Sequence, residues 1–133
     1  MSGFQTVLNL QLLPDQLENK FMLTTPLHYW SDSWQRMIVA PAGFITDLLS
    51  FAPLSNKAAA ESVIHDLLCS SADVALEQAN RIYEEALKAK GYNVLLVSSI
   101  FDGVGIGAKS HLENKYSMND DGATLTFTPV PTP

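Results

Sequence analysis

Hydrophobic and polar positions change their period about two-fifths of the way along the chain. Before residue 41, short runs rich in leucine and β-branched residues alternate with turn signals, which is the pattern of strands. Residues 6–13 form the first run, closed by Pro14-Asp15, and residues 20–25 form the second, closed by Pro26. After a polar turn at Ser31-Asp32-Ser33, residues 35–40 form the third, centred on Met37, Ile38 and Val39. These runs predict a small antiparallel sheet. His28, Tyr29, Trp30 and Trp34 crowd one connection, where the rings either cover the sheet's edge or core or make a lip for a sugar or another flat ligand.

From Asn56 the period becomes helical. Ala60, Val63, Ile64, Leu67 and Leu68 fall on one stripe, with Ser55 or Asn56 available as a cap. A second helix is expected over residues 73–90, with Leu76, Ala79, Tyr83, Ala86 and Leu87 buried, Ser71 or Asp73 capping its start and Gly91 ending it. So short a connection predicts an antiparallel helical hairpin. Residues 94–100 are apolar throughout and continue into a glycine-spaced stretch to Gly107, read as a third apolar helix that loosens toward its end. Residues 111–122 read as loop and residues 123–128 as a strand, followed by an extended tail, so that the C-terminal extended segment covers about 123–133. The pattern as a whole predicts one α+β domain over residues 1–133: a small antiparallel sheet followed by a helical hairpin and a third apolar helix.

Composition narrows the setting. With 133 residues, 47% of them hydrophobic and 17% charged, the chain can bury a core without disulfides. A net charge of −6 and eight scattered Lys and Arg disfavour phosphate-driven nucleic-acid binding. Cys69 is the single cysteine, which excludes an internal disulfide and a multi-cysteine zinc site. The first residues lack the charged and apolar regions of a secretory signal peptide, and the longest apolar stretch is too short for a membrane span.

The candidate chemistry lies in two segments. Thr46, Asp47 and Ser50 sit in an apolar run bracketed by Pro41 and Pro53, and a carboxylate fixed there needs hydrogen-bond donors, a cation or a metal ion. Capping at the turn toward the first helix accounts for the same residues. His65-Asp66 follows within the first helix, where 100° per residue sends the two side chains to opposite flanks of the apolar stripe. There they are either hydrated surface residues or members of a groove. Glu61, one turn earlier, is spaced for contact with His65. Asn80 falls at the rim of the second helix's buried face, where its amide can bridge the helices, and Arg81 is placed to pair with Asp66 or Asp73. Asp47, His65 and Asp66 together would suit a divalent ion such as zinc, leaving a coordination position for water. Their spacing matches no H-E-x-x-H pattern, Gly103, Gly105 and Gly107 form no phosphate loop, and Ser50 lies in no nucleophile elbow.

Three segments in order resemble a known family. Pro41-Ala42-Gly43-Phe44-Ile45-Thr46-Asp47 with Ser50 and Pro53, then Val63-Ile64-His65-Asp66-Leu67-Leu68, then Ala79-Asn80-Arg81-Ile82-Tyr83-Glu84-Glu85-Ala86-Leu87 with Gly91 are similar to the phage and prophage proteins of DUF1353. The resemblance covers about residues 35–92. The family pattern usually has an aspartate where this sequence has Asn80 and an aromatic where it has Cys69, and its proline after Ser50 is displaced by one residue. The resemblance implies a phage virion or tail-associated accessory protein, acting in the virion or the host cytoplasm among other virion proteins, with cell-wall peptide or glycan as substrate. In that reading Asp47, His65 and Asp66 hold a metal or activate water, while Thr46, Ser50 and Asn80 position groups around them. The alternatives are a non-enzymatic structural or assembly protein, whose proline-ended tail docks on a neighbouring subunit, and a small host-directed inhibitor.

Overall fold

The computed structural model describes residues 1–14, 20–46, 58–93 and 115–131. The described chain is α+β, with two sheets and two helices. The larger sheet contains β1 (Gly3–Phe4), β4 (Leu27–Ser31), β5 (Arg36–Ala40), β7 (Tyr116–Asp120) and β8 (Thr124–Pro129), in the order β1-β4-β5-β8-β7. The smaller consists of β2 (Leu10–Leu12), β3 (Phe21–Leu23) and β6 (Ile45–Thr46), in the order β2-β3-β6. Helices α1 (Ala59–Cys69) and α2 (Leu76–Lys90) form the expected hairpin.

The sheet departs from the antiparallel expectation at one junction. β8 lies parallel to β5, with Ile38 opposite Leu125, although the other strand pairs described are antiparallel. A parallel neighbour must arrive by a long connection, and here it comes from the far end of the chain. Four strands were also unforeseen: the two-residue β1 and β6, and the longer β4 and β7. Leu27, Tyr29 and Ser31 are the inward positions of β4, so the crowded aromatic connection is itself a central strand. Tyr29 is fully buried, packs its ring at a tilt on Phe4 with centroids 4.9 Å apart, and donates its hydroxyl to Glu85 Oε1 at 2.7 Å. β7 falls where a loop was expected because only Tyr116 and Met118 of that strand pack on the core.

Helix α1 has no exposed flank from Glu61 to Cys69: these residues are all buried, the apolar ones forming the core with Leu23, Leu27, Ile38, Phe44, Ile82 and Leu125. Its N-cap is Ala58 and that of α2 is Ala75, neither making a side-chain capping bond, so the expected caps at Ser71 and Asp73 are not used. Asp73 instead accepts from the Met118 amide at 2.8 Å, tying the hairpin's loop to β7. Gly91 ends α2 with φ of 101°, a left-handed conformation that glycine adopts without steric cost. The third helix expected over residues 94–107, and the caps expected at Ser55 and Asn56, lie outside the described residues.

Candidate functional site

Three segments distant in sequence meet on the second and third turns of α1. β6 pairs with β3 through Phe21 opposite Thr46, which brings the Thr46 hydroxyl to Asp66, where it donates to Oδ2. On the adjoining face of α1, His65 reaches α2. Its Nε2 lies 2.8 Å from Oδ1 of Asn80, and its ring packs on Tyr83 with centroids 4.7 Å apart. Adjacent residues thus diverge as a helix requires, but each enters protein rather than solvent. His65 is 0% and Asp66 4% exposed, and Thr46 is buried with them. The expectation of hydrated flanks fails because the small sheet covers one flank of α1 and α2 the other.

The hydrogen-bond geometry selects a tautomer. Asn80 Oδ1 can only accept, so Nε2 carries the ring proton and donates it, leaving the lone pair on Nδ1. Burial disfavours the imidazolium and lowers the His65 pKa from 6.5 to about 4, against a smaller upward pull from Asn80. The ring is therefore neutral at pH 7. Cys69, one turn later, places Sγ 3.5 Å from Nε2 and 4.0 Å from Nδ1, closing the ring's flank along α1. Below the ring, Ser62 Oγ lies 3.4 Å from the Tyr83 hydroxyl.

The sequence candidates divide as follows. Thr46 joins Asp66, and His65 joins Asn80, so four of the six lie on or against one helical segment. Asn80 bridges the two helices as its rim position suggested. Asp47 and Ser50 lie outside the described residues. Arg81 bonds Gln78 at 3.1 Å instead of reaching Asp66 or Asp73, and Glu61 faces Lys90, 3.7 Å away. Cys69 and Tyr83 were not singled out as part of the site, yet both line the ring. The available signal was spacing: Cys69 is four residues after His65 and Tyr83 three after Asn80, positions that share a helix face.

A buried neutral imidazole beside a buried carboxylate is poor material for stability alone, since desolvating such groups costs more than packing apolar ones. Among the described residues no group of three or more His, Cys, Asp or Glu side chains is gathered around one point. His65 Nδ1 and the Asp66 carboxylate are nevertheless donors of the right chemistry for a divalent ion. A metal-binding histidine usually donates its other N–H to a carbonyl or carboxylate, and Asn80 supplies such a carbonyl. As an amide, Asn80 makes that bond without bringing a negative charge.

A family model described as "Protein of unknown function (DUF1353)" matches residues 21–104. The chain belongs to that family. The matched span includes Thr46, His65, Asp66 and Asn80 and begins upstream of the segments that carry the resemblance in sequence. No curated protein and no solved structure matches the chain.

Proposed function

We propose that this member of DUF1353 is a phage virion or tail-associated accessory protein whose β6–α1–α2 junction is a metal-dependent hydrolytic centre directed at cell-wall peptide or glycan. The observation that carries the chemical part is the buried His65 ring, held neutral and hydrogen-bonded through Nε2 to Asn80 Oδ1. In this reading His65, Asp66 and Asp47 would hold a divalent ion such as zinc. Such an ion, when bound, supplies a water of lowered pKa as nucleophile. The chain does the rest. Asn80 fixes the tautomer and plane of the ring, Tyr83 and Cys69 prevent it from rotating, and Thr46 orients Asp66 by donating to Oδ2. Ser50 would have the role of positioning substrate groups. Partners in the particle would be other virion proteins.

A second reading is favoured by the completeness of the burial. Thr46–Asp66 ties the small sheet to α1, and His65–Asn80 ties α1 to α2, as expected of a non-enzymatic virion protein whose polar residues only hold its layers together. One experiment separates the two. Metal content of the purified protein and loss of turbidity of a cell-wall suspension are measured for the parent and for His65→Ala. The hydrolase reading predicts about one divalent ion per chain and falling turbidity, both lost in the variant. Absence of metal and of activity in a folded parent, with co-sedimentation on particles, establishes the structural reading instead.

A further inference from the structure

An edge strand offers unpaired N–H and C=O groups to any other chain unless something blunts it. Among the described residues, three of the four sheet edges are short or covered. β1 and β6 are two residues long. β7 lies under the loop of the helical hairpin, where the amides of Lys115 and Tyr116 donate to Ser70 O and that of Met118 donates to Asp73. β2 is different. It pairs with β3 alone, and the bonds from Thr24 N to Asn9 O and from Leu13 N to Lys20 O show that Asn9, Gln11 and Leu13 face β3. Successive residues of a strand alternate, so the N–H and C=O of Leu10 and Leu12 point off the edge. Leu23, opposite Leu10, agrees: its N–H donates to Phe44 O and its C=O accepts from Gly43, both away from β2. No described residue bonds the main chain of Leu10 or Leu12. Beside these groups Gln11 is exposed, and Leu12 is 53% exposed.

Charge selects the partner. Residues 2–14 contain no charged side chain, in a chain whose net charge is −6. Two copies therefore repel each other in most approaches, but along β2 they meet without like charges, and a strand run antiparallel to itself is self-complementary. We infer that two copies of this chain pair along β2, antiparallel about a two-fold axis at Gln11, joining their smaller sheets into one. That register sets Leu10 opposite the partner's Leu12, and Leu12 opposite the partner's Leu10. Each such pair exchanges both main-chain bonds, so every free group of the two residues is used. Pro14, which falls opposite the partner's Leu8, has no N–H and ends the ladder there. On the outer face Gln11 meets the partner's Gln11, and because an amide both donates and accepts, the two can bond each other. On the other face the exposed Leu12 packs beside the partner's Leu10. The contact is short, so the association is weak, and its two-fold symmetry closes it at two copies. This pairing holds under either reading of the His65 cluster.

Sedimentation equilibrium of the full-length protein, from about 10 μM to about 1 mM, tests the pairing; a reversible monomer–dimer equilibrium with a Kd of about 0.1 mM is expected. Leu12→Pro removes the Leu12 donor that points off the edge and leaves the bonds to β3 in place. It should weaken dimerisation at least about tenfold, with the far-UV circular dichroism unchanged. Leu12→Lys, which sets a charge in the contact, should act alike. Gln11→Cys puts a thiol on the two-fold axis and should yield a disulfide-linked dimer on mild oxidation, the native Cys69 being buried. Ile45→Cys, exposed on the same face but two strands from the edge, should not. A chain still monomeric at about 1 mM overturns the inference and leaves the edge to a strand of another protein. A dimer indifferent to both Leu12 variants, cross-linking through Ile45→Cys instead of Gln11→Cys, or open-ended polymers in place of a dimer would overturn it as well.

Discussion

Replacing His65 by leucine should change how stability depends on pH, and the size of the change follows from its burial. The His65 pKa is lowered from 6.5 to about 4, with desolvation as the first cause. A histidine whose folded value lies below its unfolded value takes up fewer protons folded than unfolded in the window between them. Its contribution is therefore fully present above about pH 6.5 and is lost as pH falls toward about 4. At 1.36 kcal/mol per pH unit the whole window amounts to about 3 kcal/mol. Glu61 works in the opposite sense, because burial raises its pKa and the folded chain then holds that proton more tightly. Comparing parent with His65→Leu cancels the Glu61 contribution. The variant leaves Asn80 Oδ1 without its ring donor, a cost of about 1–2 kcal/mol that does not vary with pH. Urea unfolding of both proteins, from pH 8 to pH 4 in the presence of a chelator, gives the difference directly. The parent's advantage should be constant above pH 7 and should shrink by about 3 kcal/mol by pH 4. A difference flat across this range would refute the neutral, desolvated ring.

Other outcomes follow from single contacts. Thr46→Val keeps the shape of the side chain but removes the donor to the buried Asp66 carboxylate, and should lower unfolding free energy by about 1.5–3 kcal/mol in urea titrations. Tyr29→Phe deletes the 2.7 Å bond to Glu85 that links β4 to α2, and should cost about 1.5 kcal/mol by the same measurement. Gly91→Ala forces a Cβ into the left-handed cap at φ 101° and should cost about 1 kcal/mol, read as a lower midpoint of thermal unfolding. Asn80→Asp places a carboxylate against the His65 ring and should raise the ring's pKa above about 4 in an NMR titration.

Local periodicity made the helices legible and left the larger sheet partly hidden. The stripe from Ala60 to Leu68 marked α1 because apolar side chains repeat at helical spacing, and Gly91 marked the end of α2 because its conformation favours glycine. β4 was obscured because its inward positions, Leu27, Tyr29 and Ser31, include a hydroxyl and a phenol, which read as a polar aromatic connection. The phenol is satisfied by Glu85 and the hydroxyl lies 3.2 Å from the Trp34 amide, contacts made only in the folded chain. The parallel pairing of β5 with β8 joins residues more than eighty positions apart, and no local pattern encodes that register. Within the site, the order of Thr46, His65-Asp66 and Asn80 was visible, and its burial was not. Helical projection shows which way a side chain points but not what lies there; here β6 and α2 occupy both flanks of α1.

The protonation and ligation of the His65 ring test the functional account most directly. Long-range ¹H–¹⁵N NMR of the imidazole at pH 7, recorded without metal and then with one equivalent of zinc, identifies which nitrogen holds the proton and which meets the ion. The account predicts an Nε2–H tautomer in both states, with zinc moving the Nδ1 resonance alone. An Nδ1–H tautomer, or an Nδ1 resonance that zinc leaves unchanged, would contradict it.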